Sequence, residues 1–318
     1  MKIGKTVMQI SIISIMIVVI IIIISYINHR LQLKKEEILF TPLGDIVEVN
    51  GNKMSVFIEG EGKNTLVFMS GGGTSSPILD FKSLYSQLSD DYKIVVIEKF
   101  GYGFSDIVDE KRDIDSILAE TRDALSKAGI EGPYILCPHS MSGIEAIYWA
   151  QQYPQEVKAI VGLDMAVPNA YSDYHINMPL LKISSIAVQI GITRFIPGIS
   201  ESDAIKHGNL NKEEKEIYRS IFYRRTATKT MLNEAEEIKN NALIVKEGGN
   251  VDSPILMFCS NGKGTGWSEE EWEDFQYDFI KEIEKGNLIK LECSHYVHNY
   301  EYEKIAEDIR SFLEQIDE

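Results

Sequence analysis

Short apolar runs recur at helix-sized intervals along most of this 318-residue chain, and that alternation limits the folds open to it. Leu66–Met69, Lys93–Ile97, Tyr134–Cys137, Val157–Leu163, Ile255–Phe258 and Leu288–Leu291 have the length of strands and are mostly apolar. Helical patterns around Ile78–Leu88, Ile114–Ala128, Ile144–Gln152 and Tyr302–Ile316 fall between or after them. Strands buried on both faces and alternating with helices predict a mostly parallel α/β sheet. Ile46–Val49 and Met54–Ile58, joined by Asn50-Gly51-Asn52, predict a hairpin at its start. The count is eight strands.

From Met165 to Ser253 the strand signal stops. Those residues read as helices at Leu180–Ile190, Lys212–Thr226 and Lys229–Lys246. The pattern therefore divides the chain into an α/β core, 45–164 and 254–318, with a helical cap at 165–253 inserted into it. No internal repeat is visible.

Ahead of the core lies a different kind of segment. Val7–Ile27 is 21 residues without a charge, with eleven Ile and three Val, interrupted by Gln9, Ser11, Ser14 and Ser25. As a helix it would span about 31 Å, the thickness of a hydrocarbon core. Its fourteen Ile and Val favour insertion by about 4–8 kcal/mol. Ser25-Tyr26-Ile27-Asn28 offers no small-residue cleavage site, so the segment reads as an uncleaved single-pass anchor rather than a removed signal peptide. Residues 1–30 are then the anchor and 31–44 a linker. Lys2 and Lys5 before the span nearly balance Arg30, Lys34 and Lys35 after it. The short N-terminal tail favours a cell-membrane protein with its body extracytoplasmic.

Charge narrows the partners. Only Lys2, Lys5 and Arg30 of the 32 basic residues precede residue 31, so the body carries 29 basic against 48 acidic side chains, a net −19. A body that acidic repels phosphate backbones, which argues against nucleic acid as a partner. Cys137, Cys259 and Cys293 sit in or beside apolar runs and read as small hydrophobes, with a 259–293 bridge open if their strands are neighbours. Their spacing is not that of zinc ligands, and no metal is expected.

The chemistry gathers at strand ends. In Pro138-His139-Ser140-Met141-Ser142-Gly143 a strand runs directly into a helix. Such a turn pushes Ser140 out at the C-terminal edge of the sheet, beside the first amides of the new helix. It needs small residues two positions before and after the serine; Ser142 is small, whereas Pro138 stands where glycine is usual. His295, in Cys293-Ser294-His295-Tyr296-Val297-His298, follows the last strand and can reach Ser140 if both strands share a sheet. His298, nearer the helix entrance, reads as a supporting residue. Ser70-Gly71-Gly72-Gly73 after the third strand can aim main-chain N–H groups at a developing oxyanion, together with that of Met141. It is not a phosphate loop, because no lysine follows. Gly101-Tyr102-Gly103 lacks the third glycine of a dinucleotide fingerprint.

This combination resembles the α/β-hydrolase superfamily over most of residues 45–318. The shared features are the glycine loop, Phe100-Gly101-Tyr102-Gly103-Phe104-Ser105-Asp106 after the fourth strand, the turn at Ser140, the helical cap and the His295-x-x-His298 segment. The resemblance implies Ser140 as nucleophile, His295 as general base, and the amides of Gly72 and Met141 as oxyanion hole. Ser70 stands where the family's loop usually opens with His. The family usually carries its acid after the seventh strand, where Cys259-Ser260-Asn261-Gly262 has no carboxylate. Some members carry it after the sixth, where Asp164 lies. Glu98 is the other carboxylate at a strand end, and Asn261 could orient an imidazole without stabilising its charge.

The expected activity is a serine hydrolase that cleaves a carboxylic ester or small amide through an acyl-enzyme, with no cofactor. Its partners are a small acyl substrate and, through the N-terminal helix, the lipid bilayer. The alternatives are a catalytically silent binding protein tethered to the membrane, or a cofactor-free lyase or perhydrolase on the same fold. Met178, Phe195, Phe222 and Tyr223 in the cap suggest an apolar pocket.

Overall fold

The computed structural model describes residues 2–172 and 174–317. Eight strands form one sheet: β1 (Asp45–Val49), β2 (Asn52–Glu59), β3 (Thr65–Met69), β4 (Lys93–Glu98), β5 (Tyr134–Pro138), β6 (Val157–Leu163), β7 (Ile255–Cys259) and β8 (Gly286–Lys290). Their spatial order is β1-β2-β4-β3-β5-β6-β7-β8. β1 and β2 are antiparallel to each other, β2 is antiparallel to β4, and every other pairing is parallel. The Asn-Gly turn is responsible for the hairpin: Asn50 and Gly51 both take positive φ, +51° and +77°, as a type I′ turn requires. β3, β5 and β7 are buried along their whole length, which is why they read as continuous apolar runs rather than alternating ones.

The period of two nonetheless divides the core. Val67, Val95, Leu136, Ile160 and Met257 face one side, where α2 (Ile114–Lys127) and α3 (Ser142–Gln152) pack. Leu66, Ile94, Ile135, Val161 and Leu256 face the other, covered by Ile305, Ile309 and Leu313 of the terminal helix. Residues 78–88, expected as one helix, are two short turns, Pro77–Asp80 and Lys82–Tyr85. The run fails as a single amphipathic helix because Ile78, Leu79, Asp80, Phe81, Ser83 and Leu84 are all buried, leaving it almost no solvent face.

The N-terminal helix α1 (Lys2–Lys35) is long and apolar enough to cross a membrane. Residues 31–35 of the expected linker are its last turn, and Glu36–Leu39 continue as a 3₁₀ turn. The helix persists because residues 28–35 include no Gly or Pro, and because Ser25 and His29 are buried against the rest of the protein.

Between β6 and β7 the described residues form helices and turns, chiefly α4 (Met178–Gln189), α5 (Lys212–Arg225) and α6 (Lys229–Glu247). After β7 comes α7 (Glu269–Ile280), and the chain closes with α8 (Tyr302–Asp317). A buried charge cluster ties α6 to the sheet. Lys99, just past β4, lies 2.5 Å from Glu145 of α3 and 2.8 Å from Glu234 of α6, and Tyr102 donates its hydroxyl to Glu234. Burial pulls the Lys99 ammonium down, but the two carboxylates outweigh it and hold the group above its ordinary range.

Candidate active site

The turn after β5 is built by three small-residue accommodations. Pro138 can end this central strand because the next residue supplies the missing donor: His139 N–H reaches Met69 O of β3 at 3.0 Å. The Ser142 hydroxyl donates to the same Met69 oxygen at 2.6 Å and accepts the His139 N–H at 3.0 Å, pinning the turn to β3. The tightest contact falls one residue later. A Cβ at Gly143 would lie 2.2 Å from Ala166 O, so only glycine fits there. Between these anchors Ser140 sits at φ +53°, a left-handed conformation that costs a non-glycine residue about 1–3 kcal/mol. The strain presents its side chain to the cavity.

His295 comes from the loop after β8, where its N–H donates to Lys263 O at 3.0 Å. Its Nε2 lies 2.8 Å from Ser140 Oγ, and its Nδ1 lies 2.6 Å from Asp164 Oδ2. With Nδ1–H donating to the carboxylate, Nε2 is left to accept the serine proton. Asp164 ends β6 at φ +50° and is wholly buried. It is held on every side: Oδ1 accepts Ser260 N–H at 2.7 Å and Trp272 Nε1–H at 2.8 Å, and Oδ2 also accepts the Ser260 hydroxyl at 2.7 Å. The three sequence candidates Ser140, His295 and Asp164 therefore form one hydrogen-bonded chain.

The other candidates lie elsewhere. The Glu98 carboxylate is buried beneath Gly103, accepts Phe104 N–H at 2.8 Å, and is pushed up to about 7 by burial. It shapes the loop after β4 and does not touch His295. That packing explains Gly103, where a Cβ would lie 1.9 Å from Glu98 Oε1. Asn261 accepts Lys263 N–H at 3.2 Å and so shapes the loop that supports His295. His298 is fully buried against Asp80, with Nε2 2.9 Å from Oδ2. His139 sits between these groups, its ring 4.6 Å from that of His295 in a tilted contact and 4.8 Å from that of His298 in an edge-on one. Burial and the two neighbouring imidazoles hold it well below the usual histidine range, so it is neutral.

A cavity of about 370 Å³ opens over Ser140. Gly72 and Met141 line it beside the serine. A Cβ at Gly71 would lie 2.7 Å from Ser140 Cβ, so the glycine loop approaches the serine as closely as backbone can. Met141 immediately precedes α3, whose first N–H groups (Ser142, Gly143 and Ile144) bond to His139 O, Ser140 O and Met141 O, so it is the Met141 N–H, at the positive end of the helix, that stands beside the serine. The expected pocket residues Met178, Phe195, Phe222 and Tyr223 do not line this cavity. Phe195 is exposed, and Tyr223 lies under the Arg194 guanidinium at 4.0 Å. Its aromatic wall is instead Tyr171, Tyr174, Trp267 and Trp272, which sequence reasoning missed. The available signal was Trp267 and Trp272 on either side of Ser268, whose capping box with Glu271 starts α7.

Cys137, Cys259 and Cys293 are free thiols, so no 259–293 bridge forms. Burial pushes all three up, Cys293 to about 12. No group of three or more metal-ligating side chains is found among the described residues.

The sheet order, the strained strand-to-helix turn and the helical insertion after β6 are those of an α/β hydrolase, and the chain belongs to that family. Residues 64–183 match the family model described as the alpha/beta hydrolase fold. "Uncharacterized protein YbdG" of Bacillus subtilis (strain 168) is 35% identical over 299 residues, covering 92% of each chain. Two solved structures share the fold at low identity. The epoxide hydrolase VrEH1 from Vigna radiata matches with TM-score 0.65 and 18% identity, over 85% of this chain and 97% of its own. The enol-lactonase from Burkholderia xenovorans LB400 matches with TM-score 0.63 and 13% identity, over 85% and 99%.

Proposed function

We propose that this protein is a membrane-tethered serine hydrolase that cleaves a carboxylic ester or small amide through an acyl-enzyme. The observation that carries the reading is the chain from Ser140 Oγ through His295 (2.8 Å) to Asp164 (2.6 Å) at the base of a cavity bordered by Gly72 and Met141. In that arrangement Ser140 Oγ adds to the acyl carbon while its proton passes to His295 Nε2. The oxyanion meets the main-chain N–H groups of Gly72 and Met141. Collapse breaks the bond to the leaving group, which departs with the His295 proton. Water then adds to the acyl-enzyme and gives a proton to His295, which passes it to Ser140 Oγ as the acyl–Oγ bond breaks, releasing the acid and restoring the free serine. Asp164 holds the imidazole in the tautomer this requires.

The nucleophile's chemistry selects among substrates. A serine oxygen that opened an epoxide would form an ether, which water does not cleave under these conditions. An acyl ester turns over, so an acyl carbonyl is the substrate class that fits Ser140. The enol-lactonase among the fold neighbours acts, by its name, on a substrate of that kind.

The test is reaction with a fluorophosphonate probe, followed by turnover of p-nitrophenyl acetate by the full-length protein in detergent. Wild type labels at Ser140, and Ser140→Ala loses labelling and roughly 10⁴–10⁶-fold in kcat. Absence of labelling, or an unchanged rate in the variant, overturns the reading. Identified products separate hydrolysis from lyase or perhydrolase chemistry. For the anchor, α1 is proposed to cross the cell membrane with the body outside; protease protection in intact cells reads that orientation.

A further inference from the structure

The cap turns to solvent an apolar surface that its own packing does not use. Leu180, Ile183 and Ile186 follow one another at three-residue intervals on α4 and are 57%, 63% and 58% exposed. Phe195 and Ile196, just beyond that helix, are 60% and 47% exposed. Large apolar side chains grouped in this way mark an interaction surface.

The neighbouring helix indicates what covers it. The Ser25 hydroxyl of α1 donates to Ile190 O at 2.7 Å, and Arg194 Nε donates to His29 Nδ1 at 2.9 Å. Arg194 also makes two 2.7 Å bonds to the Glu36 carboxylate. Gly191 allows the closest approach, since a Cβ there would lie 2.3 Å from His29 Cβ. Ser25 belongs to the uncharged segment Val7–Ile27 and lies two residues from its end, about 3 Å along the helix axis. The loop that joins α4 to Phe195 is therefore fastened to α1 at the level where its apolar span ends. That is the depth at which interfacial helices bury an apolar face, about 5–10 Å into the headgroup and acyl boundary. The same helix also walls the cavity: Leu180 and Leu181 line it together with Ile176 and Asn177. Leu180 thus belongs both to the exposed row and to the opening above Ser140.

We propose that α4 and the Ile192–Ile196 segment rest in the surface of the bilayer that α1 crosses. The cavity then receives its substrate from the membrane, as the acyl ester of a lipid-soluble molecule. The proposal rests on the reading of α1 as a span and, for the substrate, on Ser140 as nucleophile. It extends both, because a tether alone would leave the cap free of lipid and the cavity open to water.

The two parts are tested separately on the full chain in phosphatidylcholine nanodiscs holding one copy each. The three native thiols are buried, so Phe195→Cys can be labelled selectively with an environment-sensitive fluorophore. The expected result is blue-shifted emission, quenched by spin-labelled phospholipid and spared by aqueous iodide. Water-like emission quenched by iodide overturns the membrane contact. A blue shift seen only in discs with two copies assigns the face to a second copy of the chain and also overturns it. This readout needs no catalysis.

For the substrate, Ile183→Asp with Ile186→Asp is compared with wild type on a bilayer-dissolved long-chain ester and on p-nitrophenyl acetate. The expected loss is about tenfold on the lipid ester, with acetate turnover and fluorophosphonate labelling unchanged. Equal turnover of both esters by variant and wild type overturns the substrate class. A wild type that never labels refutes the Ser140 reading instead, whatever the fluorophore at position 195 reports.

Discussion

Asp164→Asn isolates the contribution of one carboxylate oxygen. The replacement keeps the shape of the side chain and suits the site's backbone, because Asn tolerates φ near +50° better than most residues do. The main-chain bond from Asp164 N–H to Phe258 O, 2.9 Å, is untouched. The amide oxygen can still accept from Ser260 N–H and Trp272 Nε1–H, so it takes the Oδ1 position. Its NH₂ then falls where Oδ2 stood, facing His295 Nδ1 at 2.6 Å. Two donors cannot face each other there, so Nδ1 becomes the acceptor and the imidazole proton moves to Nε2, pointing at Ser140. The base is left without a lone pair for the serine proton. The expected loss in kcat is about 10⁴-fold, or about 5.5 kcal/mol of transition-state stabilisation. The assay is p-nitrophenyl acetate turnover and the fluorophosphonate labelling rate, with thermal unfolding measured on the same sample. Labelling should slow in parallel with turnover, and the unfolding midpoint should shift by only a few degrees. Turnover within a few fold of wild type would show that the tautomer is fixed by something other than Asp164, and the reasoning from this contact would fail.

Other perturbations follow from buried contacts. Trp272→Phe keeps a ring in the cavity wall but removes the Nε1–H bond to Asp164; kcat should fall several-fold while KM changes little, read by steady-state kinetics. Lys99→Met leaves Glu145 and Glu234 buried without their cation, and urea unfolding should show a loss of about 3–5 kcal/mol. Glu98 is a carboxyl raised in the folded state to about 7 from an ordinary 4.5, so the folded protein binds the extra proton and stability falls as pH rises between those values. Glu98→Gln should remove that dependence, on the order of 3 kcal/mol between about pH 4 and about pH 8 by chemical denaturation.

The sheet was legible because burial on both faces leaves a plain mark, the uninterrupted apolar runs Leu66–Met69 in β3, Ile94–Ile97 in β4 and Ile255–Cys259 in β7. The hairpin was legible because Asn50-Gly51 supplies two positive φ values that few other pairs allow. Ser140 and His295 were legible as strand-end residues once the strands were placed. The cavity wall was not. Helical spacing in the cap marks which residues are apolar but not which face meets the substrate, and Phe195, Phe222 and Tyr223 lie on faces that meet solvent, each other or Arg194. Tyr171, Tyr174 and Trp267 reach the cavity from turns with no periodicity at all. The pair His298–Asp80 joins residues 218 positions apart, and nothing local in either segment announces it. His298 stood out only by its spacing from His295.

The loop after β7, where the family usually carries its carboxylate, has none here, and Asp164 at the end of β6 takes the place beside His295. β6 and β7 are adjacent and parallel, with Leu163 opposite Phe258, so their C-terminal ends present neighbouring positions to the same imidazole. A carboxylate can serve from either strand if the other strand fills the vacated place with donors. Here β7 does so. Ser260 occupies the loop position after β7 and turns both its N–H and its hydroxyl toward Asp164. A carboxylate at 260 beside Asp164 would put two like charges at hydrogen-bonding distance, and neither could hold His295 without a shared proton. The serine after β7 and the aspartate after β6 are therefore complementary parts of one arrangement. Ser260→Asp should cost more activity than Ser260→Ala, although it restores a carboxylate after the seventh strand, and the ratio of their kcat values measures that complementarity.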